Sequence, residues 1–261
     1  MDLDIYTTEM SKSIWDKAFF MDKIIGTKCV IDFGCADGAM IRYLSGLFPD
    51  MMFIGFDISS ELISRAQITP PFNANLIYFN GGFWETGEDD LVEYVKEHYK
   101  SEEICINFSS VLHEVYSSTG GIEVIQRFIR DLKPRYITIR DMYCDEYLPI
   151  PPAIFRQMFD TVDKKAYSAY VKIFGVPVYW RDLNHLLMKL RWKDNGYEEE
   201  LKEDYFSWGI DQFNKDIGNN YNTIFDCYYQ LPYLGEKWKQ EYGWYNPDAH
   251  THAQFILRRD D

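Results

Sequence analysis

Asp32 stands two residues before a glycine turn, Gly34-Cys35-Ala36-Asp37-Gly38, and a second acid, Asp57, ends the apolar run Phe53-Ile54-Gly55-Phe56. A carboxylate beside such a turn can hold a cationic group, and the missing Cβ atoms let the backbone take unusual angles and let a ligand come close. An acid about 20 residues beyond the turn suits bidentate hydrogen bonding to a ribose diol. Further on, Ser109-Ser110-Val111-Leu112-His113-Glu114 and the pair Arg140-Asp141 offer an imidazole and a carboxylate for proton transfer and a guanidinium that could orient an anion. These residues point to an enzyme that uses a nucleoside-containing cofactor.

For the side chains to meet, strands must deliver them to one edge of a sheet. Cys29 to Phe33 is short, rich in β-branched residues and apolar except for Asp32, which predicts a buried parallel strand. Met40, Ile41, Leu44 and Leu47 recur at helical spacing, so the turn feeds a helix whose first N–H groups face the ligand. Further strands are expected at Met51 to Phe56, Asn75 to Phe79, Glu103 to Phe108 and Tyr136 to Ile139. The last of these delivers Arg140 and Asp141 to the carboxyl edge, where open α/β sheets bind ligands.

Two cofactor classes suit a glycine turn followed by an acid. Gly34-x-Ala36-x-x-Ala39 is a degraded dinucleotide fingerprint, but NAD would set a pyrophosphate at the helix N-terminus, where Asp32 repels it. S-adenosylmethionine carries no phosphate, and its ammonium and sulfonium groups favour that carboxylate. The stretch Asp32-Phe33-Gly34-Cys35-Ala36-Asp37-Gly38 resembles the first motif of the class I S-adenosylmethionine-dependent methyltransferases, with Ala36 where a glycine is usual.

The resemblance covers residues 28 to 141 well and the C-terminal end loosely. It implies an α/β, Rossmann-like methyltransferase fold, with a mostly parallel seven-stranded sheet and an antiparallel last strand, Ala253 to Leu257. It implies S-adenosylmethionine as cofactor, with Asp32 and the loop residues Gly34, Cys35, Ala36, Asp37 and Gly38 on the aminoacyl part. Asp57 and Ile58 would meet the ribose, while Asn80, Gly81 and Phe83 would border the adenine; Asn80 replaces the more usual aspartate. Asn107, Phe108, Ser109 and His113 would line the methionine side. His113, Asp141 and Arg140 are the catalytic candidates. A histidine that only packs, and an Arg140 or Asp141 held in a structural ion pair, are the alternatives.

One domain is expected, its core at about 24–142 and 208–261, with a helical lid inserted at about 143–207. Pro149-Ile150-Pro151-Pro152 opens the insertion, one helix is predicted over Ala153 to Ile173, and a second is marked by Leu183, Leu186, Leu187 and Leu190. A third, Trp208 to Ile217, leads to a strand at Thr223 to Tyr229. Tyr143, Tyr147, Tyr167, Tyr170, Tyr179 and Trp180 either line a substrate lid or form its small core.

The 261 residues, 46% hydrophobic and 17% aromatic, exclude a disordered chain. No run reaches transmembrane length and Met1-Asp2-Leu3-Asp4 lacks the parts of a secretory signal, so a cytoplasmic protein with no membrane partner is expected. The five cysteines are spread and odd in number, and read as reduced thiols. A net charge of −14 repels nucleic acid on average and favours a small-molecule substrate. Lys164, Lys165, Lys189, Arg191 and Lys193 could make a local basic patch but read better as a solvated helix face.

Cys144 lacks the Thr-Cys-Ser setting of a methylating thiol. His250-Thr251-His252 lacks a third ligand, so no metal is expected. The reading is methyl transfer to an oxygen or nitrogen. RNA or nucleotide modification, a binding protein without chemistry and a nicotinamide-dependent oxidoreductase stand as alternatives.

Overall fold

The structure is a computed structural model that describes residues 4, 7, 8, 12–81, 87–243 and 250–260. Seven strands form one sheet: β1 Cys29–Phe33, β2 Met52–Asp57, β3 Leu76–Asn80, β4 Ile104–Ser109, β5 Tyr136–Met142, β6 Tyr221–Tyr229 and β7 His252–Arg259, in the order β3-β2-β1-β4-β5-β7-β6. The first five pair in parallel. β7 is antiparallel to both neighbours, with Arg259 N–H donating to Arg135 O toward β5 and Asp260 N–H to Asn220 O toward β6. Strand order reverses between β1 and β4, and a crevice at such a switch point is where open α/β sheets take ligands.

Register explains both faces of this sheet, because side chains alternate along each strand. Phe79, Phe56, Phe33, Phe108 and Ile139 lie in one row across five strands. Phe128, on the helix Gly121–Leu132, packs edge-on to Phe33 with ring centroids 5.4 Å apart and also meets Phe56. The adjacent row, facing the other way, reads Tyr78, Gly55, Asp32, Asn107 and Thr138. One row is an apolar core and the other carries polar groups through the middle of the sheet.

Contacts divide the chain into two compact units. The first contains Leu3–Asp141 together with Trp208–Asp226 and Gln254–Asp261. The second contains Met142–Ser207 and Cys227–Ala253, so it takes in the helix Pro232–Tyr242 as well as the expected insertion. Its core gathers Met158, Tyr170, Leu183, Leu187, Leu234 and Trp238. Tyr167 is buried with them and Tyr143 is buried too, while Tyr147 and Tyr179 are exposed.

Two expectations for this second unit are corrected. The single helix predicted over Ala153 to Ile173 is two, Pro152–Thr161 and Lys164–Phe174. They part because Asp163 caps the second, its Oδ1 accepting from Ala166 N–H at 2.7 Å. Lys189 does not belong to a solvated face. It is fully buried, donates from Nζ to the Glu200 carbonyl and sits 3.3 Å from the Tyr205 ring centroid.

Candidate functional site

The polar row of the sheet is a chain of hydrogen bonds that ends on Asp32. Thr138 Oγ1 donates to Asn107 Oδ1 at 2.8 Å, and Asn107 Nδ2 donates to Asp32 Oδ1 at 2.7 Å. The amide is thereby oriented with its nitrogen toward the carboxylate. Asp32 is 3% exposed, and burial pushes its carboxyl up to about 7 against the opposing pull of Asn107 and Lys17. A charge this poorly solvated gains from a cationic partner.

Past Asp32 the chain turns through Gly34, Ala36 and Gly38 with φ of 77°, 50° and 70°. Two anchors hold that left-handed path. Gly34 N–H and Cys35 N–H donate to Phe56 O at 2.8 and 3.1 Å, and Ala36 N–H donates to Asp57 Oδ2 at 2.8 Å. A methyl group on Gly34 would lie 2.7 Å from Val111 Cγ2, and one on Gly38 would lie 2.4 Å from Tyr78 Cε1. Both glycines are therefore required by close packing as well as by dihedral angle.

Asp32, Gly34, Cys35, Ala36, Asp37 and Ser109 line one cleft, together with Lys17 and Ser110. Ser109 is buried, and its Oγ has no hydrogen-bond partner among the described residues. Ser110 holds a left-handed φ of 58°, which re-aims the chain as it leaves β4. Asp57 and Asn80 stand beyond the cleft lining but are joined to it. Asp57 Oδ1 accepts Ser59 N–H at 2.8 Å while its Oδ2 supports the turn, and Asn80 Nδ2 donates to Asp57 O at 2.9 Å. The Ile58 N–H also acts on this carboxylate, which with about four acceptor positions keeps room for a hydroxyl donor. Gly81 follows, bonded through its N–H to Asp57 O at 3.3 Å, and Ile58 is exposed beside it. Phe83 lies outside the described residues.

His113 and Asp141 form a buried pair away from the cleft lining. Asp141 Oδ2 accepts the backbone N–H groups of Val111, Leu112 and His113 at 3.0, 2.6 and 3.3 Å, and Asp141 Oδ1 meets His113 Nδ1 at 2.8 Å. A carboxylate that accepts at both oxygens requires Nδ1 to carry hydrogen, which makes Nε2 the basic nitrogen of the ring. Glu114 Oε1 stands 3.9 Å from that nitrogen.

The sequence pattern of the family described as a methyltransferase domain matches residues 16–256. This chain belongs to that methyltransferase domain family. Its fold is shared with a SAM-dependent methyltransferase from Anabaena variabilis, at 12% identity and a TM-score of 0.53, covering 95% of this chain and 83% of that one. An S-adenosylmethionine-dependent methyltransferase from Mesorhizobium loti is similarly related, at 12% identity and a TM-score of 0.51, covering 95% and 98%. No curated protein matches.

Within this methyltransferase, three of the expected site residues are engaged inside the protein. Phe108 is fully buried with its ring against Phe33 and Phe213, because strand alternation sends Asn107 and Ser109 to one face and Phe108 to the other. Asp141 is saturated with donors, which suits it to orient His113 and not to act as a base. Arg140, 3% exposed, donates from Nε to Asp16 Oδ2 at 2.6 Å and from Nη1 to Ser110 Oγ at 2.8 Å. Arg140 and Asp141 lie inside β5, which runs three residues past its expected end. Burial also lifts the Cys144 thiol to about 12, which disfavours a nucleophilic thiolate. The five cysteines are unpaired, and no described helix is long and apolar enough to cross a membrane.

Sequence reading missed Asp16 and Lys17. They sit on the single helical turn Ile14–Lys17, too short to show periodicity, and reach the site only through contacts distant along the chain. Polar residues between Trp15 and Ala18 were the one available signal.

Proposed function

We propose that this methyltransferase takes its methyl group from S-adenosylmethionine and transfers it to an oxygen or nitrogen of a small-molecule acceptor. The observation that carries the reading is the buried Asp32 carboxylate, held by Asn107 at the mouth of a left-handed turn and facing a cleft with no phosphate-binding cation on the turn itself. The donor set suits the amino-acid end of that cofactor, since Asp32 complements an ammonium and the unpartnered Ser109 hydroxyl is available to a polar group. When bound, S-adenosylmethionine supplies an electrophilic methyl carbon on a cationic sulfur.

Asp32 and the 34–38 loop would hold the aminoacyl part, Asp57 and Ile58 the ribose, and Asn80 with Gly81 the adenine. His113, fixed by Asp141 with Nε2 as its basic nitrogen, would take the proton that an attacking oxygen or nitrogen gives up. The helical insertion after β5 would set acceptor choice, and the charge of −14 disfavours a polyanionic one. Titration calorimetry with S-adenosylmethionine, S-adenosylhomocysteine and NAD in parallel tests the reading. Saturable binding of the two sulfur compounds alone is expected, and Asp57→Ala should abolish it while the fold persists. Binding of NAD alone would overturn the assignment.

A further inference from the structure

One basic side chain lines the same cleft as the acids Asp32 and Asp37. Lys17 is half-buried and lines the cleft beside Asp32, Ser109 and Ser110. Its place is fixed by its neighbour. Asp16 Oδ2 accepts from Arg140 Nε at 2.6 Å and lies 2.5 Å from Nη2 in the same ion pair, which ties the short helical turn to β5. Gln254 Nε2 donates to Asp16 O and to Asp16 Oδ1, each at 3.0 Å, which ties the same turn to β7. The Lys17 N–H closes the turn on Ser13 O at 2.9 Å. A long flexible side chain is thus delivered from a turn anchored on two strands.

The nearby charges are unequally satisfied. Asp16 is paired with Arg140, and Asp141 is saturated by N–H groups and His113. Asp32 receives one neutral amide donor, and Lys17 makes no ion pair with it among the described residues. Lys17 and Asp32 therefore share the cleft, which Asp37 also lines, without neutralising one another by contact. The ligand that matches such a pair is a zwitterion, with its cation on the acid and its anion on the base.

We infer that Lys17 and Asp32 form a clasp for the α-amino acid of the cofactor, Lys17 binding the carboxylate and Asp32 the ammonium. This rests on the S-adenosylmethionine reading and adds a binding residue from outside the 34–38 loop. Burial of both groups supports it, pulling the Lys17 ammonium down to about 8, with Arg140 adding to the effect, and raising the Asp32 carboxyl to about 7. A carboxylate at Lys17 and an ammonium at Asp32 would each relieve the strain on their partner.

Decarboxylated S-adenosylmethionine, which keeps the ammonium and sulfonium but lacks the carboxylate, separates the two halves of the clasp. Wild-type protein should bind S-adenosylmethionine about ten- to a hundredfold more tightly than the decarboxylated compound, the range a charge-assisted hydrogen bond supplies. Lys17→Met should erase that preference by weakening S-adenosylmethionine alone, and Lys17→Arg should restore most of it. The preference is a ratio within one protein, so a general loss of stability does not imitate its disappearance; Lys17→Gln gives a second, polar reading of it. A preference retained in Lys17→Met and Lys17→Gln, or no preference in the wild type, would overturn the clasp. A wild type that binds neither compound nor S-adenosylhomocysteine would instead overturn the cofactor assignment beneath it.

Discussion

Asp141 shows how one buried carboxylate can organise a helix start and a histidine ring together. Its two oxygens receive three backbone N–H groups and the His113 ring, so the carboxylate starts the helix Leu112–Ser117 and sets the histidine tautomer together. Each buried donor left unsatisfied costs roughly 1–3 kcal/mol. Asp141→Ala should therefore lower the unfolding free energy by about 3 kcal/mol or more in a urea titration, allowing for partial relaxation. His113→Ala leaves the backbone donors satisfied and should lose less than half as much. Equal losses in the two variants would mean that the imidazole, and not the helix start, accounts for the energy.

The turn between β1 and the helix Ala39–Leu47 concentrates constraints of a different kind. Gly38 combines a φ of 70° with a Tyr78 ring that would stand 2.4 Å from an added methyl. Left-handed strain and overpacking each cost on the order of 1–3 kcal/mol, so Gly38→Ala should lower stability by about 2–4 kcal/mol. Adding Tyr78→Ala to that variant should recover the packing share and leave the dihedral share, which a double-mutant cycle on melting data would show as favourable coupling. Additive losses would mean that Tyr78 simply swings aside. Much of this element was legible in the sequence. β1 matches its expected bounds because an apolar β-branched run between turn residues has few other outcomes, and Gly34 and Gly38 announce the turn. Alternation within Asn107-Phe108-Ser109 also separates core from site and puts Phe108 in the core. The break at Asp163 was harder to see, since apolar spacing continues through Val162 and only the capping geometry interrupts it. Lys17 could not be found locally, because Asp16 binds Arg140 and Gln254, 124 and 238 residues away.

Across the whole molecule Lys17 and Asp32 act through pH. Asp32, raised to about 7 from an ordinary carboxyl near 4, binds its proton more readily folded than unfolded, so its share of stability falls as pH rises from about 4 to 7. Lys17, lowered to about 8 from an ordinary amine near 10.4, gives up its proton more readily folded, so its share rises with pH from about 8 to 10.4. Both charges are least comfortable together between these windows, near neutrality. The melting temperature of the protein alone should therefore decline from pH 5 to 7 by more than that of Asp32→Asn, in which the titrating carboxyl is gone. A zwitterionic ligand inverts the preference, because an ammonium favours ionised Asp32 and a carboxylate favours charged Lys17. Binding of S-adenosylhomocysteine should then release protons at pH 6, take them up at pH 9, and be tightest between about 7 and 8. Calorimetry at each pH in two buffers of different ionisation enthalpy reads the sign directly. Proton uptake at pH 6 would mean that the ammonium does not meet Asp32, and a proton exchange of zero at both ends would leave neither charge in contact with the ligand.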